Sequence, residues 1–345
     1  MRGAALSVLG IGSYLPPSRP VRDLVVAQGG DINGYDGWDN ICLAGADDHP
    51  STMAARALDA ALKEAAILPA DLKLVVYAGG SRDYVPPWSV AAEVMRLHDI
   101  PGSCIGYDIA AGCLGSLVAL NLARAWLAGE ECGYAAVITA ERWSHTVDRS
   151  DSGSQRIWGL SDGATAIILG MEAPGRSLGE FRGAVFSSRA DLNGYVLVKY
   201  GGTQYPVAPP GESPFRRVLA STRFNDLWEA YCERLSRVLS MLSERFGMEM
   251  RHLVCNQINP AMVMTIADMA EIPMERVVQT GREIGHLGGS DIVLGLRRLL
   301  DRGAIDGPVA LVSSTPYAFG AGLFVPVTAR RRYAELGFVE TQSHV

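Results

Sequence analysis

No two cysteines of the 345-residue sequence form a C-x-x-C pair; the six (42, 104, 113, 132, 232 and 255) are scattered. In a chain long enough to build its own core, that pattern argues against a disulfide framework. It suits a reduced, cytoplasmic protein whose cysteines are mostly small buried apolar residues. Long apolar runs are missing too. The richest, Leu114–Leu127, is short and broken by Asn121 and Arg124, so no membrane association is expected. The opening MRGAALSVLGIGSYLPP carries one Arg and ends its apolar run in a Gly/Pro turn; it reads as a first buried strand rather than a signal peptide. Positive charge is short: 31 Lys and Arg against 37 Asp and Glu leave a net charge of −6. The dense basic runs, Arg297-Arg298 and Arg330-Arg331-Arg332, read as solvated faces, and nucleic acid as a partner is excluded.

A composition of 48% hydrophobic and 20% charged residues is that of a packed globular protein, as one large domain or two ordinary ones. Short β-rich runs alternate with helical ones. Strands are expected at Ala5–Ile11, Leu74–Ala78, Ile105–Ala110, Ala135–Ala140 and Ala164–Leu169. Helices are expected at Ser51–Ala66 with Ser51 as N-cap, at Trp88–Leu97 after Pro86-Pro87, and at Leu114–Ala128. The second half repeats the order. Strands near Ala184–Ser188, at Leu253–Gln257, Val309–Ser313 and Gly322–Val327 accompany helices at Arg223–Phe246, Pro260–Ala270 and Ser290–Arg302. Two duplicated α/β halves, 1–173 and 174–345, would share one core with the site between them.

The segment YDIAAGCLGSLVALNLARAWLAG carries the most chemistry. A buried strand runs through small residues into Cys113 and then a helix. The small residues allow a sharp turn, and a helix N-terminus favours thiolate over thiol. Cys113 therefore reads as a nucleophile, while a structural role suits the other five cysteines.

Ala110-Ala111-Gly112-Cys113-Leu114-Gly115-Ser116 resembles the active-site elbow of the β-ketoacyl-acyl carrier protein synthase III family. Gly10-Ile11-Gly12-Ser13-Tyr14-Leu15-Pro16 resembles the family's opening strand and turn, and Leu160-Ser161-Asp162-Gly163-Ala164 its G-D-G-A turn. Asn256-Gln257-Ile258-Asn259 and Phe319-Gly320-Ala321-Gly322 resemble its H-Q-A-N and F-G-G-G motifs. The resemblance implies a thiolase-like fold in α-β-α-β-α layers, a homodimer, acyl-CoA or acyl carrier protein thioesters as donors, and neither a metal nor a resident cofactor. It places Trp38 near the substrate channel and Asn259 on the pantetheine arm. Trp88 falls where a dimer partner reaches the acyl tunnel, with core packing of the dimer an equal reading. The second oxyanion donor beside Cys113 N–H would be Ala321, in a turn formed by Phe319-Gly320-Ala321-Gly322.

The departures are specific. The family's catalytic His opens H-Q-A-N, and its Asn lies in a later G-N-T-S segment. Here Asn256 takes the first position and His286, in Gly285-His286-Leu287-Gly288-Gly289-Ser290-Asp291, takes the second. His286 can serve as general base with Asp291 orienting it; the plainer role for Asp291 is charge stabilisation of a helix start that Ser290 caps. Cys113, His286 and Asp291 resemble a secondary-metabolism branch of the family, some members of which move acyl groups onto hydroxyls or select unusual starter units. The coenzyme A-binding arginines of W-x-x-x-R and of the position two after H-Q-A-N are Cys42 and Ala261 here, which favours a carrier-bound donor. Tyr195–Pro214, including Tyr205, reads as a lid over the acyl and acceptor pocket. The expected activity is acyl transfer through Cys113 to a small hydroxyl or amine acceptor. Decarboxylative condensation with a malonyl thioester, thioester hydrolysis and a silent partner subunit remain alternatives.

Overall fold

In the computed structural model, residues 5–130, 133–171, 177–212, 216–218, 224–303 and 305–327 are described. The first part of the chain gives β1 (Leu6–Tyr14), β2 (Ser18–Pro20), α1 (Val21–Ala27), β3 (Asn40–Cys42), α2 (Pro50–Ala65), β4 (Leu72–Tyr77), α3 (Val90–Leu97), β5 (Ile105–Asp108), α4 (Gly115–Leu127), β6 (Tyr134–Arg142) and β7 (Asp162–Gly170). The second gives β8 (Gly179–Ser188), β9 (Val196–Val198), β10 (Arg216–Val218), α5 (Phe224–Phe246), β11 (His252–Cys255), α6 (Pro260–Met269), α7 (Gly281–Ile284), α8 (Ser290–Asp301), β12 (Val309–Thr315) and β13 (Ala318–Pro326).

Nine strands form one sheet in the order β11-β12-β13-β8-β1-β7-β6-β4-β5. Strands from before Gly170 fill one side and those from after Gly179 the other, and β1 pairing with β8 joins them. The helices α4 and α8 each touch strands of both groups and one another. Their apolar faces, from Leu114 to Leu127 and from Ile292 to Leu299, share one core with Leu6, Leu74, Val137, Leu311 and Phe324. α2 and α3 cover the outer face of the first group, and α5 and α6 that of the second. This is the expected α-β-α-β-α layering, and it follows from strands apolar on both faces: β7 is buried at every residue, so helices must lie on both sides.

Close packing of α2 on β1 depends on glycine. A Cβ at Gly12 would lie 2.1 Å from Ala57 O and one at Gly10 2.3 Å from Ala61 O, so glycines in the strand and alanines in the helix let the two backbones nearly touch.

Several boundaries differ from expectation. α2 begins at Pro50, with His49 before it donating its N–H to Thr52 Oγ1 at 2.9 Å. Ser51, expected as the cap, lies inside the helix with its hydroxyl on Asp83 at 2.6 Å. α3 is capped by Ser89, so Trp88 stands outside it. Phe319-Gly320-Ala321-Gly322 is no turn but the interior of β13, the turn being Pro316-Tyr317. The expected lid is partly a hairpin, β9 pairing with β10.

Replacing Gly12 with Val should cost about 1–3 kcal/mol through overpacking, whereas Ala at Gly202, which has nothing within 4 Å, should change stability by less than about 0.5 kcal/mol. Urea unfolding of the two variants checks this.

Candidate active site

Cys113 sits in a single 3-10 turn, Gly112–Leu114, that leads into α4. Gly112 has φ +52, and a Cβ there would meet Thr315 Cγ2 at 2.9 Å; one at Gly115 would meet Ala78 O at 2.0 Å. Both sides of the cysteine thus need glycine, one for its backbone conformation and one for its closeness to the end of β4. From β12, Ser313 Oγ donates to Cys113 O at 2.7 Å, holding the turn that presents the sulfur.

His286 comes from the other half, on the loop before α8. Its N–H donates to Gly159 O at 2.9 Å and its carbonyl accepts Ser161 N–H at 3.0 Å, which ties the loop to the segment entering β7. Its Nε2 lies 3.4 Å from Cys113 Sγ. Its Nδ1 lies 2.5 Å from Asp291 Oδ2. Asp291 is fully buried and also accepts the N–H groups of Gln257 at 2.8 Å and Leu287 at 2.9 Å. Three donors satisfy this carboxylate where water cannot, as a buried charge requires. Ser290, expected as the cap of α8, bonds Thr139 at 2.8 Å instead, and Gly289 occupies the cap. Burial alone would lower the His286 pKa. The Asp291 charge, then that of Cys113, outweighs it and raises the value to about 10.

Asn256 lies beside these groups, fully buried. Its Oδ1 accepts Ser314 N–H at 2.6 Å and its Nδ2 donates to Gly288 O at 3.2 Å. Trp38 is buried, with Nε1 donating to Gln257 O at 2.6 Å. It walls a cleft of about 290 Å³ with Pro260, Met264, Met274, Gln279 and Arg282, so a cation absent from the residues after Trp38 stands next to it in space. Asn259 spends its Oδ1 on capping α6, accepting from Met262 N–H at 2.8 Å.

Ala321 lies inside β13, in register with both Val312 and Val185. Tyr205 is 45% exposed and packs against Tyr200 and Lys199 on the hairpin's connecting loop, not against the cysteine. Trp88 packs edge-to-face on Tyr84 at 5.3 Å. Conversely, the sequence reading missed Trp143, whose ring centroid lies 5.5 Å from that of His286. It also missed Ser313, the support under Cys113. Neither residue lies in a motif, because each acts across the join between the halves.

The His286 value of about 10 lies above the ordinary 6.5 of the unfolded chain. Its stabilising contribution is therefore complete below about pH 6.5 and lost as the pH rises to about 10. Urea unfolding free energies should fall more steeply over that window in the native protein than in Asp291→Asn; parallel curves would refute the pairing.

A family model described as 3-oxoacyl-[acyl-carrier-protein (ACP)] synthase III matches residues 107–184, and its C-terminal counterpart matches residues 247–330. The β-ketoacyl-[acyl-carrier-protein] synthase III of Pseudomonas aeruginosa is 26% identical over 334 residues, covering 92% of this chain and 94% of its own. Among solved structures, OleA of Xanthomonas campestris superposes with a TM-score of 0.80 at 18% identity, covering 94% of this chain and 99% of its own. ChlB3, titled an acyltransferase, superposes at 0.78 with 21% identity, covering 94% and 98%. The two matches follow one another in order, with the nucleophile turn inside the first and His286 inside the second, and together with the structural likenesses they support a thiolase-fold protein of the 3-oxoacyl-[acyl-carrier-protein] synthase III family.

Proposed function

We propose that the protein is a non-decarboxylating acyltransferase of secondary metabolism. It takes an acyl group from a carrier-protein or coenzyme A thioester onto Cys113 and passes it to a hydroxyl or amine. The observation that carries this reading is the chain Cys113 Sγ, His286, Asp291, with contacts of 3.4 and 2.5 Å. Asp291 accepts from Nδ1, so a neutral His286 bears its lone pair on Nε2, towards the sulfur. ChlB3, a fold neighbour titled an acyltransferase, agrees with it.

The proton balance of the cycle closes on these residues. The proposed cycle begins with Cys113 as thiolate and His286 as imidazolium, the sulfur's charge being one of those that raise the imidazole. The thiolate attacks the donor's carbonyl carbon, and the tetrahedral oxyanion faces Cys113 N–H at the open start of the helix. Collapse breaks the donor's C–S bond, and the departing sulfur takes the proton from His286 Nε2. Acylation removes one of the two negative charges that raised the imidazole, so His286, having given up its proton, stays neutral and available as the base. It accepts the proton of the acceptor O–H or N–H as that atom bonds to the acyl carbon. Collapse then breaks the Cys113–acyl bond and restores the thiolate–imidazolium pair.

Decarboxylative condensation, the second reading, is favoured by family membership. It needs donors for an enolate oxygen. Asn256 retains one N–H beyond Gly288 O, and His286 at Nε2 is set to accept rather than donate once neutral. The donor's arm enters past Trp38, where Arg282 offers a cation for phosphate. The protein acts as a homodimer through the edge strand β5, whose Ile105 is 55% exposed, with Tyr84 and Val85 exposed as well.

His286→Ala should still show acyl loading in the intact-protein mass but slow transfer by about 10²–10⁴-fold, while Cys113→Ala should show no loading. Carbon dioxide release from a malonyl thioester at the transfer rate would replace the transferase reading with condensation. Light scattering should give twice the 36.9 kDa chain mass; a monomer at micromolar concentration would overturn the dimer.

A further inference from the structure

The two polar contacts of His286 occupy its ring nitrogens: Nδ1 is held by Asp291 and Nε2 faces Cys113. A further contact, from an aromatic ring, completes its surroundings.

Trp143 supplies that contact. It is the first residue after β6, in the turn Trp143–Thr146, and is buried. Its ring centroid is 5.5 Å from that of His286 at an interplanar angle of 55°. The loop bearing His286 is shaped around it: Gly288 has φ +59, and a Cβ there would lie 2.4 Å from Trp143 Cη2. A Cβ at Gly80 would lie 3.7 Å from Trp143 Nε1. The indole thus packs closely on Gly288, with the histidine beside it. An indole attracts a cation placed within about 6 Å of the ring, more so when both are desolvated.

We infer that Trp143 is a positioning residue for the acyl transfer proposed above, packing against the His286 ring and favouring its imidazolium form in the thiolate–imidazolium pair. The inference rests on the Cys113–His286 reading. The other charged groups nearby are committed elsewhere. Asp291, from α8, holds Nδ1, and Cys113, before α4, faces Nε2. Glu141, at the end of β6, accepts Gly80 N–H at 2.7 Å and Ser81 Oγ at 2.9 Å. Asp162, in β7, accepts the N–H groups of Ala44 and Ser144, each at 2.8 Å.

The test needs no knowledge of the natural acyl group. Iodoacetamide alkylation of Cys113, followed by intact mass in a variant lacking Cys132 and Cys232, the latter being the other thiol not buried among the described residues, reports thiolate against pH. The alkylation midpoint should move up by about half to one pH unit in Trp143→Leu, and Trp143→Phe should recover most of that shift. Trp143→Leu made in a His286→Gln background should add no further shift. Ring-fluorinated tryptophan at position 143 alone keeps the shape and weakens the face. It should raise the midpoint in order of fluorine number, even if Trp143→Leu does not fold. If His286→Gln leaves the alkylation profile unchanged, the Cys113–His286 pair itself is wrong. If His286→Gln shifts the profile while neither Trp143→Leu nor the fluorinated series does, the pair stands and the role of Trp143 is refuted.

Discussion

Everything at the site turns on one buried carboxylate. Asp291 is closed off from water and would be costly as an ion without three donors around it. Each of those donors fixes something else. Leu287 N–H folds the loop back over the start of α8, Gln257 N–H ties that loop to the end of β11, and His286 Nδ1–H aims the imidazole at Cys113. The same atom that completes the electrostatics of the helix start therefore sets the geometry of the proposed base. Loss of any one donor would leave the others holding a charge they cannot satisfy alone.

The arrangement has a second support, which explains how residues 173 positions apart meet at 3.4 Å. α4 and α8 begin side by side in the middle layer, each preceded by a reactive side chain. Ser116 Oγ donates to Gly289 O, and Thr139 links Ser290 and Thr165 at 2.8 and 2.9 Å. These hydroxyls are buried where apolar residues would otherwise be expected. A satisfied polar network of this kind holds one register of the two helix starts, where an apolar contact would tolerate sliding.

Much of this was legible in the sequence because it is local. The run of small residues around Cys113 signals a sharp turn, and the structure answers with φ +52 at Gly112. Apolar runs mark the buried strands, and the five-residue spacing of His286 and Asp291 spans a loop and one helical start. What escaped is non-local. Ser290 reads as a cap from its place before a helix, yet Thr139, 151 residues away, claims its hydroxyl. Ala321 reads as a turn residue among glycines, although the strand β13 runs through it because β8 and β12 flank both edges. Trp143 has no sequence signal at all, since its partner lies on the opposite half.

The exchange of His and Asn between positions 256 and 286 has a physical meaning that neither residue carries alone. At 256 the surrounding backbone offers a donor: Ser314 N–H points at the side chain, at 2.6 Å from Asn256 Oδ1. A histidine there would meet that N–H with its Nδ1 lone pair, which forces its proton onto Nε2 and makes it a hydrogen-bond donor when neutral. At 286 the surroundings offer an acceptor instead, Asp291, which keeps the proton on Nδ1 and leaves Nε2 a base. The same imidazole is thus a donor to an enolate in one place and a proton acceptor in the other. Moving it between these two positions of the second half changes its chemistry without changing the fold or the nucleophile.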